Sequence, residues 1–317
     1  MLSTIKISVA IAAYNAADYL REAIDSVLAQ TLQPVEIVVV DDGSTDHTRA
    51  VCESYGDRVR YIYQENDGTA GMGARWKSIQ ASQGDWVALL DHDDRWLPEK
   101  LEKQVAALEK FPDAGLVLTR YQAIGPDGKK VVADVADVSG QLIRLESHDA
   151  LHHLLQSNPY CPSSALVLKR ALIEDGPPKM TNCGDWSDWF RITRQYPMLV
   201  VDENLTEYRV SPEQFCSNKD HLATRMSETL QQQKPQLQPG CAECRKSFAA
   251  GEAHVAHIFA VAARTYLDQY HEAARAGDGS RARSLLKQAM RAAPMEVLRP
   301  RRFVAVSKNY ALGILKK

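Results

Sequence analysis

The sequence predicts an α/β fold, a mostly parallel sheet flanked by helices, followed by a helical C-terminal region. Three observations predict it. Short apolar, β-branched runs alternate with helical periodicity from Ile5 to Ile124. The connections between them are short, as in layered α/β folds. The acidic clusters fall where two of the apolar runs stop.

Ile5 to Ala12 is continuously apolar, the pattern of a strand covered on both faces. "NAADYLREAIDSVLAQ" places Tyr19/Leu20, Ala23/Ile24 and Val27/Leu28 on one helical stripe. "PVEIVVVDDGSTDHT" reads as a second buried strand closed by Asp41-Asp42-Gly43, Thr45 to Tyr55 as a helix, and "VRYIYQE" as a third strand. "GTAGMGARWKSIQASQG" is a Gly-rich entry to a helix, "DWVALLD" a fourth strand, Leu97 to Phe111 a helix and "AGLVLTRYQAI" a fifth strand. Residues 126–150 read as a hairpin or loop excursion. "SSALVLKRALI" reads as a strand running into a helix, "CGDWSDWFRITRQYP" as an amphipathic helix and "MLVVDENLTEYRV" as a late strand. After Phe215 the texture changes: "QQQKPQLQPG" is a polar linker, 250–292 is Ala- and Arg-rich with helical periodicity, and "GDGSRARSLLKQAMRAAP" reads as one helical hairpin. The expected division is a sheet domain at 1–220 and a helical region at 221–317.

Composition is that of an ordinary globular chain, 45% hydrophobic and 25% charged. The formal net charge of -2 argues against nucleic acid as a partner. Charge is nonetheless uneven, since residues 281–317 hold ten Lys/Arg against one acid, Glu296. That basic C-terminus is either a solvated helical face or a contact for anionic lipid headgroups. Six cysteines without framework spacing suggest a reducing compartment. No run approaches the roughly 20 apolar residues of a membrane span, and Lys6 interrupts the N-terminal apolar run, which reads as a strand rather than a signal peptide. The expected setting is the cytoplasm, with peripheral contact at the inner face of the membrane.

In "GDWVALLDHDDRWLPEK" a buried run stops at Asp91, Asp93 and Asp94. Such mutually repelling carboxylates are either solvated in a turn or placed to receive a cation. In open α/β sheets ligands bind outside the carboxyl ends of strands, where Asp41 and Asp42 also fall. These stretches, with "AAYNAADYLREAIDSVLAQ", "GMGARWKSI", "GDWSDWFRI" and Tyr208-Arg209, resemble the family 2 glycosyltransferases of GT-A fold over roughly the first 210 residues.

The resemblance implies a nucleotide-sugar donor, with UDP-sugars the leading class, and inverting transfer to a hydroxyl of a glycan or lipid-linked acceptor in surface polysaccharide biosynthesis. It implies Mn²⁺ or Mg²⁺ on Asp93, with Asp91 sharing the metal or orienting ribose and Asp94 supporting the turn. Carboxylate oxygens suit such hard cations. By the same likeness Asp41, with Asp42 second, hydrogen-bonds the nucleotide base, beside Ala13 and Tyr14. Arg75 lies by the diphosphate, which a guanidinium binds bidentately. Asp185 is the general base and Asp188 the competing carboxylate one turn on. Trp186 and Trp189 are candidates to stack on acceptor sugars, and Arg209 belongs to the late motif. Each has a blander reading: helix capping by Ser44, Asp46 or Asp185, an exposed helix arginine, buried tryptophans.

The sequence departs from the family at Ala12-Ala13 (usually Pro-Thr), Met72, Trp76 (usually Asn) and Gly184 (usually Glu). These departures keep a non-catalytic sugar-nucleotide or glycan-binding relative open. A metal-dependent nucleotidyltransferase would need a Gly-rich triphosphate loop that "AIAAYNAADYL" lacks. Cys241 and Cys244 with His254 and His257 have a zinc-like look, but the pairs stand closer together than in metal fingers.

Overall fold

Seven consecutive apolar or small residues leave β1 (Ile7–Ala13) no solvent face, and it becomes a central strand. The computed structural model describes residues 5–131, 138–156, 160–174, 176, 184–210 and 219–298. After β1 come α1 (Leu20–Leu28), β2 (Glu36–Asp42), α2 (Thr48–Glu53), β3 (Arg60–Gln64), α3 (Met72–Ala81) and β4 (Trp86–Asp91). The next elements are β5 (Arg95–Trp96), α4 (Lys100–Lys110), β6 (Leu116–Ile124), β7 (Leu142–Leu145) and α5 (Ser147–Gln156). Then follow β8 (Leu166–Leu168), α6 (Lys169–Ile173), α7 (Gly184–Thr193) and β9 (Met198–Arg209).

The strands form one sheet in the order β3-β2-β1-β4-β8-β6-β9-β5, with β7 paired to β9. The first four are parallel, as the alternation with helices requires. Beyond β4 the sheet is mixed. β8 runs antiparallel between β4 and β6, β9 is parallel to β6, and β5 and β7 run antiparallel to β9. Strand alternation sorts side chains between the two faces. Ile7, Val9, Ile11 and Val39 pack with Leu20, Ile24 and Val27 of α1 and Leu101 of α4, whereas Val38 and Val40 meet Ala74 of α3 on the other face. Each of these Val, Leu and Ile side chains contributes about 1.5–3 kcal/mol on burial.

Apart from the mixed half of the sheet, differences from the sequence reading are local. The helix expected over 45–55 is α2 followed by a single 3-10 turn, Gly56–Arg58. The 126–150 excursion opens with a bridge between Ile124 and Lys130 and goes on to β7 and α5, which the pattern did not disclose.

Contacts divide the chain into two compact units, Met1–Leu154 with Asn158–Ser211, and Leu155–Ser157 with Pro212–Lys317. The second holds α8 (Lys219–Gln231), which was not expected, α9 (Ala242–Arg275), α10 (Gly279–Ala292) and α11 (Pro294–Val297). The expected linker contains a 3-10 turn, Lys234–Gln236. The stretch read as a hairpin, "GDGSRARSLLKQAMRAAP", is instead the single helix α10, capped by Asp278, whose carboxylate accepts from the Arg281 N–H at 2.9 Å; the hairpin forms between α9 and α10. Its core is Leu267, Tyr270, Ala273, Ala282, Leu285, Ala289 and Val297. No helix among the described residues is long and apolar enough to cross a membrane.

Candidate active site

Register brings the strand ends level: Ala13 pairs with Asp41 and Ala12 with Asp91. The loops after β1 and β2 then lock together. Asn15, in the left-handed region at φ 45°, donates its N–H to Ser44 Oγ (2.9 Å) and accepts from the Thr45 N–H (2.9 Å). Asp46 accepts from the N–H groups of Ala17 (3.0 Å) and Thr48 (2.9 Å). Gly43 is required twice over, by φ 80° and by Asn66, whose backbone nitrogen would lie 2.8 Å from an added Cβ.

Alternation along β2 turns its two terminal aspartates to opposite faces. Asp41 is consumed internally: one oxygen accepts from the Ser44 N–H at 2.9 Å and the other from the Tyr61 hydroxyl at 2.7 Å. Burial, then this bond to Asp41, pushes the Tyr61 phenol well above its ordinary range. Asp42 accepts from Gln64 Nε2 at 2.6 Å through one oxygen, while Oδ2 is buried with no partner. Of the pair, the oxygen without any partner belongs to Asp42. At the end of β1, Ala13 is buried and the Tyr14 ring is exposed.

The second acidic cluster is a tight turn between β4 and β5. Ser163 organises it from behind, accepting from the Asp91 N–H (2.9 Å) and donating to Asp94 Oδ2 (2.6 Å). Asp94 Oδ1 accepts from the Arg209 N–H at 2.8 Å. Asp94 is fully buried, and burial with the charges of Asp93 and Asp91 raises its carboxyl well above the usual range. Asp91 and Asp93 stay half-buried at the sheet edge. Burial raises the Asp91 carboxyl to about 6; Arg75 opposes this, and Asp93 and Asp185 add to it. Arg75, in the first turns of α3, also acts on Asp188, and its Nη2 is buried without a partner. These fields gather Arg75, Asp91, Asp93, Asp185 and Asp188 around one place.

Of the two carboxylates on α7, Asp188 is committed. It is buried and pairs with Arg191 at 3.0 Å, whose guanidinium also donates to the carbonyls of Ala171 and Leu172. Asp185 lies half-buried in the first turn of α7. Trp186 is a correction to the expectation of sugar stacking: it is 1% exposed, donates Nε1–H to the Leu154 carbonyl at 3.0 Å and packs on Phe190. Trp189 is likewise buried. A Cβ at Gly184 would collide with the terminal methyl of Met72, so two departures from the family pattern are neighbours in space.

Arg209 ends β9 with its side chain 1% exposed. Its Nε donates to the Asp93 carbonyl at 2.7 Å, Nη1 to those of Gly125 (3.2 Å) and Pro126 (3.0 Å), and Nη2 to Glu22 at 2.8 Å. The same Glu22 oxygen accepts from Arg95 Nη1 at 2.9 Å, and Arg95 pairs with Glu207.

Residues 8–176 match the family profile described as Glycosyl transferase family 2. The chain belongs to that family. An uncharacterized glycosyltransferase of Rickettsia typhi is 33% identical over 207 residues, 64% of each chain, so the match spans less than two thirds of that relative. An uncharacterized glycosyltransferase of Nostoc sp. is 34% identical over 242 residues, 73% of this chain and 71% of the relative. The putative teichuronic acid biosynthesis glycosyltransferase TuaG of Bacillus subtilis is 29% identical over 67% of this chain and 82% of its own. Among solved structures, S. aureus TarS 1–349 in complex with UDP-GlcNAc aligns over 91% of this chain and 93% of its own, with a TM-score of 0.55 and 16% identity. That likeness concerns the fold, which is GT-A-like.

The sequence of this family 2 glycosyltransferase gave no sign of Ser163, Glu22 or Tyr61, because each acts through a partner distant in the chain. Met72 drew notice only as a departure. The zinc-like residues do not converge: Cys241 Sγ accepts from the Cys244 N–H at the start of α9. His254 and His257 lie further along the same helix, about 15 and 20 Å from Cys244 at the ordinary rise per residue.

Proposed function

We propose that the protein is an inverting glycosyltransferase moving a sugar from a nucleotide-diphosphate donor, a UDP-sugar, to a hydroxyl of a glycan or lipid-linked acceptor in surface polysaccharide synthesis. One observation carries the reading. An unpartnered buried carboxylate oxygen on Asp42, at the end of β2, and an unpartnered guanidinium nitrogen on Arg75, whose charge acts on Asp91, occur at the same edge of the sheet. A base N–H would satisfy the first, and a phosphate oxygen the second. The names of TuaG, a putative teichuronic acid biosynthesis glycosyltransferase, and of the TarS complex with UDP-GlcNAc agree in direction.

The Asp91/Asp93 pair fits a hard divalent cation by donor type and by the upward push on Asp91, which a cation would relieve. Mg²⁺ or Mn²⁺ held there by Asp93, with Asp91, would supply positive charge to the departing diphosphate. Asp42 orients the base against the exposed Tyr14 ring, and Arg75 receives a phosphate. Asp185 accepts the proton of the acceptor hydroxyl as that oxygen bonds to the anomeric carbon. The C–O bond to the diphosphate breaks on the opposite side, which inverts configuration.

The test is incubation with Mn²⁺ or Mg²⁺, a panel of sugar nucleotides and candidate acceptors. Acceptor-dependent release of nucleoside diphosphate is expected. Release of pyrophosphate would mean nucleotidyl transfer, and tight binding without turnover for any acceptor would mean a binding module.

A further inference from the structure

The second unit ends in a surface that the transferase chemistry leaves unused. On α10, Ala282, Leu285 and Ala289 point into the core. At 3.6 residues per turn, Arg283, Lys287, Met290 and Arg291 then fall within an arc of about 100° on the opposite side, and all four are exposed. In α11 and just after it, Met295 is 77% exposed and Leu298 47% exposed. Three cations and Met290 therefore share one side of α10, and two further exposed apolar side chains, Met295 and Leu298, follow within eight residues. Of the two acids between 277 and 298, Glu296 is buried and Asp278 is engaged in capping the start of α10. A purely solvated face has no use for adjacent exposed methionine and leucine, and a surface reading nucleic-acid phosphates gains nothing from them.

We propose that this face docks on an anionic lipid surface, the cations meeting headgroups and Met290, Met295 and Leu298 entering the headgroup boundary. Basic residues near a negatively charged leaflet attract it over about a Debye length, and apolar side chains add area-dependent binding. The occupant follows from charge complementarity combined with apolar protrusion. The sequence continues in kind over 299–317, with six Lys/Arg and no acid. The inference is independent of the transferase reading, since it concerns vesicle binding rather than turnover.

The experiment is co-sedimentation of the full chain with sucrose-loaded vesicles of pure phosphatidylcholine, or of phosphatidylcholine with about a third phosphatidylglycerol. Binding to the anionic vesicles alone, abolished by high salt, is expected. Arg283→Glu/Lys287→Glu/Arg291→Glu should weaken that partition on the order of a hundredfold. Met295→Glu/Leu298→Glu should weaken it while leaving the basic stripe intact, and a milder Arg283→Gln/Lys287→Gln/Arg291→Gln variant guards against misfolding, checked by thermal melt. Wild-type partition of both the glutamate and the glutamine triple variants overturns the proposal, because residues 299–317 would then suffice. So does equal binding to neutral vesicles, or retention by duplex RNA with none by anionic vesicles.

Discussion

Arg209 Nε donates to the backbone carbonyl of Asp93 at 2.7 Å. The turn that carries the proposed cation ligand is thus held from behind by a guanidinium whose side chain is almost wholly buried. Four acceptors, from Asp93, Gly125, Pro126 and Glu22, depend on its fork. Lysine keeps the charge but cannot span them. Arg209→Lys should raise the cation concentration needed for half-maximal activity by about 10- to 100-fold, with a smaller change in turnover at saturating cation. Metal titrations of activity beside a thermal melt separate this from general destabilisation, in which turnover would fall at every cation concentration.

Asp93 itself should matter for binding rather than for folding, since its carboxylate is half-buried at the edge while Asp94 bears the turn. Asp93→Asn is expected to remove the Mn²⁺-dependent part of donor affinity, read by calorimetry with UDP in the presence and absence of the cation. Unchanged cation-dependent affinity would refute the metal role.

The neighbouring aspartates of β2 should separate cleanly. Asp42→Asn turns a potential acceptor of a base N–H into a less basic group, at about 1.5–3 kcal/mol for a hydrogen bond to a charge. Donor affinity should then fall by roughly 10- to 100-fold with little change in melting. Asp41→Asn disturbs bonds to Ser44 and Tyr61 and should lower stability by about 1–2 kcal/mol while leaving nucleotide affinity near wild type. The reverse pattern would restore Asp41 as the base partner.

On α7, Asp185→Asn should spare UDP binding and cut transfer by at least about a hundredfold, as expected for loss of a general base. Asp188→Asn breaks the buried pair with Arg191 and should cost about 3–5 kcal/mol of stability. Loss of transfer at full stability in the Asp188 variant, with Asp185→Asn active, would exchange their roles.

How far the sequence disclosed this site depended on whether a residue's partner was near in the chain. The alternation from β1 to β4 is a local pattern, and both acidic clusters could be placed at strand ends from it. Which of Asp41 and Asp42 keeps an unpartnered oxygen depends on the pleat and on Tyr61 and Gln64 from a neighbouring strand, and no local pattern carries that. Trp186 looked presentable on an amphipathic helix, but an apolar face at helical spacing does not say whether its ring meets a ligand or the core. β5 has two residues and pairs with β9 more than a hundred positions away, so periodicity could not reveal it. The mixed half of the sheet follows from such non-local pairings.

Lys100 offers a pH-dependent test of the packing beneath the acidic turn. It is fully buried, donates to Gln104 Oε1 at 2.9 Å and lies 4.1 Å from the centre of the Trp96 ring. Burial pushes its ammonium down to about 7, with Cys161 opposing, whereas an unfolded lysine titrates near about 10.4. Between those values the unfolded chain binds a proton that the fold lacks, so this group makes stability rise with pH. Below pH 7 both states hold the proton and the cost of burying the charge is felt in full. Lys100→Met removes the titration and keeps the packing volume. Its stability relative to wild type should be highest near pH 6 and decline towards pH 10, by at most about 1.4 kcal/mol per pH unit for one proton. Denaturant unfolding of both proteins across that range measures the slope, which the pH-independent loss of the Gln104 bond does not alter. Parallel profiles would mean that Lys100 keeps its proton in the fold, held by the Trp96 ring and Gln104.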